Sequence, residues 1–106
     1  MTMTDEVNLL VKKIADYCRP EKIILFGSVA RGETKKDSDI DLLIIKRSNK
    51  KRPFRVKEVF EAVRGVNRSY SLDPIVYTPE EYSIRLGLGD HFIREISKEG
   101  KTVYAN

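Results

Sequence analysis

Two short patches of this chain hold residue types that could do chemistry. One is Gly27-Ser28 and the other is Asp39-Ile40-Asp41, with ten residues between them. If the chain is extended from Asp39 onward, side chains alternate between faces. Both aspartates then project from one face and Ile40 from the other. Carboxylates held that close repel unless a cation sits between them. Hard oxygen ligands at that spacing suit Mg²⁺ better than a soft metal. Gly27 can take a backbone conformation closed to most residues and lets a ligand approach the main chain. Ser28 adds a hydroxyl, and amides opening a short helix at Val29-Ala30-Arg31 would attract phosphate. A phosphate cradle beside a carboxylate pair is a site for Mg²⁺ and a nucleoside triphosphate.

The elements that must hold these patches are legible on either side. Apolar runs at Ile23–Phe26 and Leu42–Ile45, bounded by turn residues, suit buried strands, the second beginning at Ile40. Upstream, Asp5 to Cys18 reads as an amphipathic helix. Val7, Leu10, Val11, Ile14, Tyr17 and Cys18 recur at helical spacing, and Met1 to Thr4 are expected to fray. Asp5 and Glu6 suit its positive end and Pro20 closes it. Cys18 reads as a buried apolar residue and not a nucleophile. Glu33 to Asp37 reads as exposed loop. A helix follows from about Pro53, with Val56, Val59, Phe60 and Val63 on one face and Gly65 at its end. Leu72 to Tyr77 is a third strand; Pro74 cannot donate a ladder hydrogen bond, so the strand starts there or lies at an edge. Thr78-Pro79-Glu80-Glu81 has the form of a capping box. Gly87-Leu88-Gly89 interrupts that helix. Asp90 opens another, to Lys98, with Phe92, Ile93 and Ile96 as its apolar members. Thr102 to Tyr104 adds a short last strand. This order predicts an α/β (α+β) fold, a small mixed sheet flanked by helices.

The string GSVARG…SDIDLLII, with Gly27-Ser28 and Asp39-Ile40-Asp41 at this spacing, resembles the signature of the DNA polymerase beta-like nucleotidyltransferases. It is similar in particular to their minimal branch, over nearly the whole chain. The resemblance implies a nucleotidyltransferase fold with residues 1–106 as one domain. It implies a third acid on the neighbouring strand, for which Asp73 is the only good candidate; the other reading of Asp73 is turn chemistry ahead of Pro74. ATP would be the nucleotidyl donor. Asp39, Asp41 and Asp73 would be the catalytic and metal-binding residues, holding two Mg²⁺ ions about 3.5–4 Å apart as in other two-metal sites. Gly27 and Ser28 would hold the β- and γ-phosphates. Arg31 can contact a phosphate or pair with a carboxylate to hold the loop. Ser38 can bond a phosphate or simply end the loop. Minimal members act with HEPN-domain proteins as toxin–antitoxin pairs. In that arrangement the nucleotidyltransferase is the antitoxin and adenylylates a tyrosine of the HEPN ribonuclease toxin.

Composition bounds these expectations. With 106 residues the chain has room for one domain, and 41% hydrophobic with 34% charged residues fit a globular protein. The net charge of +4 suits a polyanionic partner or a phosphate-binding enzyme. One cysteine excludes an internal disulfide, and His91 has no thiol or histidine nearby to share a metal. No membrane span or signal pattern is present in the sequence, so a cytoplasmic location is expected. The basic run Lys46 to Lys57 reads as a solvated loop, or as a docking surface for a partner or polyphosphate. Only Phe54 is interleaved, so nucleic acid is not favoured there. The acceptor must come from a partner or from a second copy of this chain. Three readings follow: a protein adenylyltransferase, a module that neutralises its partner by contact, and a nucleotidyltransferase acting on RNA or a small molecule.

Overall fold

A four-stranded mixed sheet carries helices on both faces. The computed structural model describes residues 2–33 and 38–106. In chain order the elements are α1 (Met3–Cys18), β1 (Lys22–Phe26), α2 (Gly27–Ala30), β2 (Ile40–Ile45), α3 (Arg52–Ala62), β3 (Leu72–Tyr77), α4 (Pro79–Gly87), α5 (His91–Glu99) and β4 (Lys101–Ala105). The strands lie in the order β3-β2-β1-β4. β1 runs antiparallel to both β2 and β4, while β2 and β3 are parallel and joined through α3. β2 is central and covered on both sides, which is why its apolar residues form a run and not an alternation. Ile40, Leu42 and Ile44 of β2 pack under α1 and α3; Leu43 and Ile45 pack under α5. Pro74 stands in β3, an edge strand, where its missing donor is tolerated.

Several boundaries differ from the sequence reading for identifiable reasons. α1 starts at Met3, because Thr2 caps it: the Thr2 hydroxyl accepts from the Asp5 amide and the Asp5 carboxylate accepts from the Thr2 amide, both at 3.1 Å. The stretch expected to fray is therefore helical from Met3 onward; Met1 lies outside the described residues. α1 closes through Arg19 in the left-handed conformation (φ 51°), with Pro20 following. α3 stops at Ala62, and Gly65 makes the turn beyond it at φ 85°. Phe60 and Phe92, expected on buried faces, are 39% and 48% exposed. β4 is longer than expected, because Lys101, Thr102, Tyr104 and Ala105 pair with β1 around an irregularity at Val103. Of the expected loop Glu33 to Asp37, residues 34–37 lie outside the described residues. The capping box of α4 is present: the Thr78 hydroxyl accepts from Glu81 N, and the Glu81 carboxylate accepts from Thr78 N at 2.8 Å.

The basic run is not a free charge surface. Lys46 and Lys50 both reach Glu58, at 3.7 and 3.5 Å. Arg47 pairs with Glu80 at 3.2 Å and Glu21 at 3.7 Å. Arg55 is buried and holds Glu81 at 2.7 Å while donating to the Lys50 carbonyl. The acids lie elsewhere in the sequence, so a reading of the run alone could not find them.

Glu6 ties α1 to the approach of β3. It is 2% exposed, and its carboxylate accepts the Ser69 amide at 2.8 Å and the Tyr70 amide at 3.1 Å. Those two bonds fix the connection that delivers Asp73 to the sheet. Glu6→Ala would leave both amides without that acceptor, and is expected to cost about 2–3 kcal/mol, since bonds to a charged acceptor and unsatisfied donors both weigh heavily. Urea unfolding measures this; a change under about 0.5 kcal/mol would mean the clamp contributes nothing.

Candidate active site

The aspartates meet at the end of the sheet where β2 and β3 begin. Parallel register pairs Asp41 with Asp73, and antiparallel register pairs Asp41 with Phe26, the residue before Gly27. Residues paired in register share a face, so Asp41 and Asp73 project together on the side covered farther along by α5. Asp41 is half-buried, whereas Asp39 and Asp73 are exposed. Partial burial, the charge of Asp73, a hydrogen bond with Asp73 and the charge of Asp39 push the Asp41 carboxyl up to about 6, opposed by Arg31. Asp73 is thus in contact with Asp41, and Asp39 acts on Asp41 through its charge.

The corner faces the same carboxylate. Gly27 has φ 77° and opens α2, which no side chain caps. A Cβ built on Gly27 would collide with Oδ2 of Asp41 and lie 3.2 Å from its Cγ. Only glycine allows the turn and the carboxylate to approach this closely. Ser28 is half-buried, and its carbonyl accepts from the Glu33 amide at 2.9 Å. Arg31 is exposed and pairs with Glu33 at 3.5 Å, close enough for its charge to act on Asp41. Ser38 is buried and donates to the Glu33 carbonyl at 3.3 Å. Phe26 meets Phe92 edge-on, with centroids 5.7 Å apart, and closes the α5 side of the rim. The sequence reading gave Phe26 no role beyond its strand; its place beside Gly27 is the signal for a site wall.

Among the described residues, no three His, Cys, Asp or Glu side chains already form a metal-holding group. The donor set nonetheless fits a hard divalent cation. The near carboxylates are oxygen ligands of one charge, and their mutual repulsion is what a cation would relieve.

The raised Asp41 carboxyl has a consequence for stability. Its folded value, about 6, lies above the ordinary 3.8. The folded state therefore holds the proton more tightly, and the stability this supplies is complete below pH 3.8 and lost as pH rises through 6. Asp41→Asn removes that loss. It is expected to stabilise the chain above pH 6 by about 1 kcal/mol, after discounting for solvent screening. Urea midpoints for both proteins between pH 4 and 8, without divalent metal, should converge at the acid end and separate above 6.

The site is thus a mixed α/β sheet that gathers carboxylates from two parallel strands opposite a glycine corner. The nucleotidyltransferase domain family matches residues 8–103, and the chain belongs to that family. Its fold is similar to the crystal structure of a protein provisionally assigned as a nucleotidyltransferase from Sulfolobus solfataricus, solved at 1.40 Å. That match has a TM-score of 0.66 and 23% identity, over 98% of this chain and 81% of the other. It is also similar to a crystal structure of a toxin–antitoxin with AMP-PNP, with a TM-score of 0.61 and 17% identity, over 96% of this chain and 74% of the other. Among curated proteins, none matches this chain. The expected nucleotidyltransferase fold is therefore the one adopted.

Proposed function

We propose that this nucleotidyltransferase moves AMP from ATP to a hydroxyl of a partner protein, a tyrosine of a HEPN-domain toxin, and so acts as an antitoxin. The observation that carries the transfer chemistry is the meeting of Asp41 with Asp73 directly opposite Gly27. The antitoxin role rests on the resemblance of the GSVARG…SDIDLLII string, supported by the fold shared with a toxin–antitoxin structure. Residues 1–106 would act as one domain.

In this reading Gly27 and Ser28 bind the β- and γ-phosphates through the main chain and the Ser28 hydroxyl. Arg31 and Ser38 border the phosphates. Asp39, Asp41 and Asp73 would hold two Mg²⁺ ions, which supply neutralisation of the triphosphate and a more acidic acceptor hydroxyl when bound. Asp73, the more exposed of the paired carboxylates, takes the proton of the incoming hydroxyl. That oxygen bonds to the α-phosphorus, the bond from the α-phosphorus to the bridging oxygen breaks, and pyrophosphate leaves. The chain's own contribution is positioning and charge.

The test is incubation of the chain and a HEPN partner with α-labelled ATP and Mg²⁺. Label should appear on a tyrosine of the partner and vanish with chelator. Label on RNA or a small molecule, with none on the partner, would replace the proposed acceptor. Neutralisation of the toxin by an Asp39→Ala/Asp41→Ala variant would instead favour a contact-only module.

A further inference from the structure

We propose that the connection between α3 and β3 forms a groove for single-stranded nucleic acid, distinct from the carboxylate rim and sharing Lys57 with the basic run 46–57. Two adjoining depressions of about 480 and 370 Å³ share Phe60, Val66 and Arg68. Lys57 and Arg64 border the second, and Ser69, Tyr70 and Ser71 border the first.

Three observations point to this ligand. The first is charge without neutralisation. In the basic run Lys46, Arg47, Lys50 and Arg55 are paired with acids, as described above. Among the described residues Lys57, Arg64 and Arg68 form no ion pair, and all three are exposed. The one acid on the wall, Glu61, accepts from the Tyr17 hydroxyl at 3.1 Å. The second is an aromatic among those cations. Phe60 is 39% exposed, and the Arg68 guanidinium stands 5.7 Å from its ring centroid. An exposed ring beside unpaired arginines is the arrangement on which bases stack while phosphates are neutralised. An acidic peptide would use the cations but has no need of the ring. The third is rigidity. Buried Glu6 holds the Ser69 and Tyr70 amides, so the groove floor is fixed in advance and binding need not order it. Ser71 and Leu72 then lead into Asp73, which places the groove at the catalytic end of the sheet.

The proposal needs no transfer reaction. It is tested with the full chain, in chelator and without ATP, by fluorescence anisotropy of labelled 12-residue oligo(U) and oligo(dT). Binding of either is expected, with affinity falling about 20-fold between 50 and 200 mM salt for three phosphate contacts. Arg64→Gln with Arg68→Gln should weaken binding at least about 10-fold, and Phe60→Leu at least about fivefold. Arg47→Gln, a cation already paired with Glu80, should change it less than about twofold, and Asp41→Ala should not weaken it. Matched thermal melts establish that each variant is folded. Equal competition by oligo-glutamate, an equal loss in Arg47→Gln, or no loss in Phe60→Leu would overturn the groove and leave only general attraction of anions. Failure here with intact labelling of a partner leaves the transfer reading standing, and the reverse result leaves the groove.

Discussion

Asp41→Ala is expected to reduce nucleotidyl transfer by roughly 10³-fold or more, because this carboxylate is the junction of the site. It touches Asp73, feels the charge of Asp39 and lies against Gly27. Removing it breaks every pairwise relation at once, so the loss should approach that of removing all three aspartates. The same substitution should not unfold the chain. Asp41 is held in a half-buried place with like charges around it, and its removal relieves repulsion above pH 6. Activity should therefore collapse while the urea midpoint at pH 7.5 holds or rises. That opposed pair of changes separates a working carboxylate from a structural one, for which both would fall together. Initial rates with α-labelled ATP, beside Asp16→Ala as an exposed carboxylate paired with Lys12, measure it. A rate within about tenfold of the parent would remove Asp41 from the chemistry.

Much of this site could be read before any coordinates, because its parts are short-range. Alternation along an extended chain would put Asp39 and Asp41 on one side, although β2 itself starts at Ile40, and the turn at Gly27 is a local backbone demand. Asp73 was harder. Its partnership with Asp41 depends on the parallel register of β2 and β3, set through α3 and a connection pinned by Glu6. Nothing local to Asp73 encodes that register, and only the family resemblance singled it out. The element order followed from hydrophobic periodicity, while the ends of α1 and α3 did not. Thr2 and Asp5 cap α1 in place of the expected frayed end, and the acids that neutralise Lys46, Arg47, Lys50 and Arg55 come from four separate positions. Long-range pairing of that kind leaves no trace in a run of basic residues. Phe60 was missed for a different reason. Helical spacing marks a side chain as apolar and on one face, but not whether another element covers that face.

The corner gives the second large effect, and a built-in comparison for it. Gly27→Ala is expected to lower transfer about 10²-fold or more and to cost about 1–2 kcal/mol of stability. Part of the stability cost is the backbone: φ is 77°, a region an alanine enters only with strain. The rest arises because the new methyl collides with the Asp41 carboxylate. That carboxylate is the end of a side chain and can swing aside. The displacement is cheap for folding and ruinous for a site that depends on its position. Gly32→Ala separates the two causes. Gly32 also has φ 77°, yet an added Cβ meets nothing within 4 Å among the described residues. It should therefore lose similar backbone stability and keep its rate within a few-fold. The double variant Gly27→Ala/Asp41→Ala completes the cycle. With the carboxylate gone the collision is gone, so Gly27→Ala should cost less stability there than in the parent and add little to the lost rate. Simple additivity in both measurements would mean that Gly27 acts only through the backbone, and that its closeness to Asp41 is incidental to the reaction.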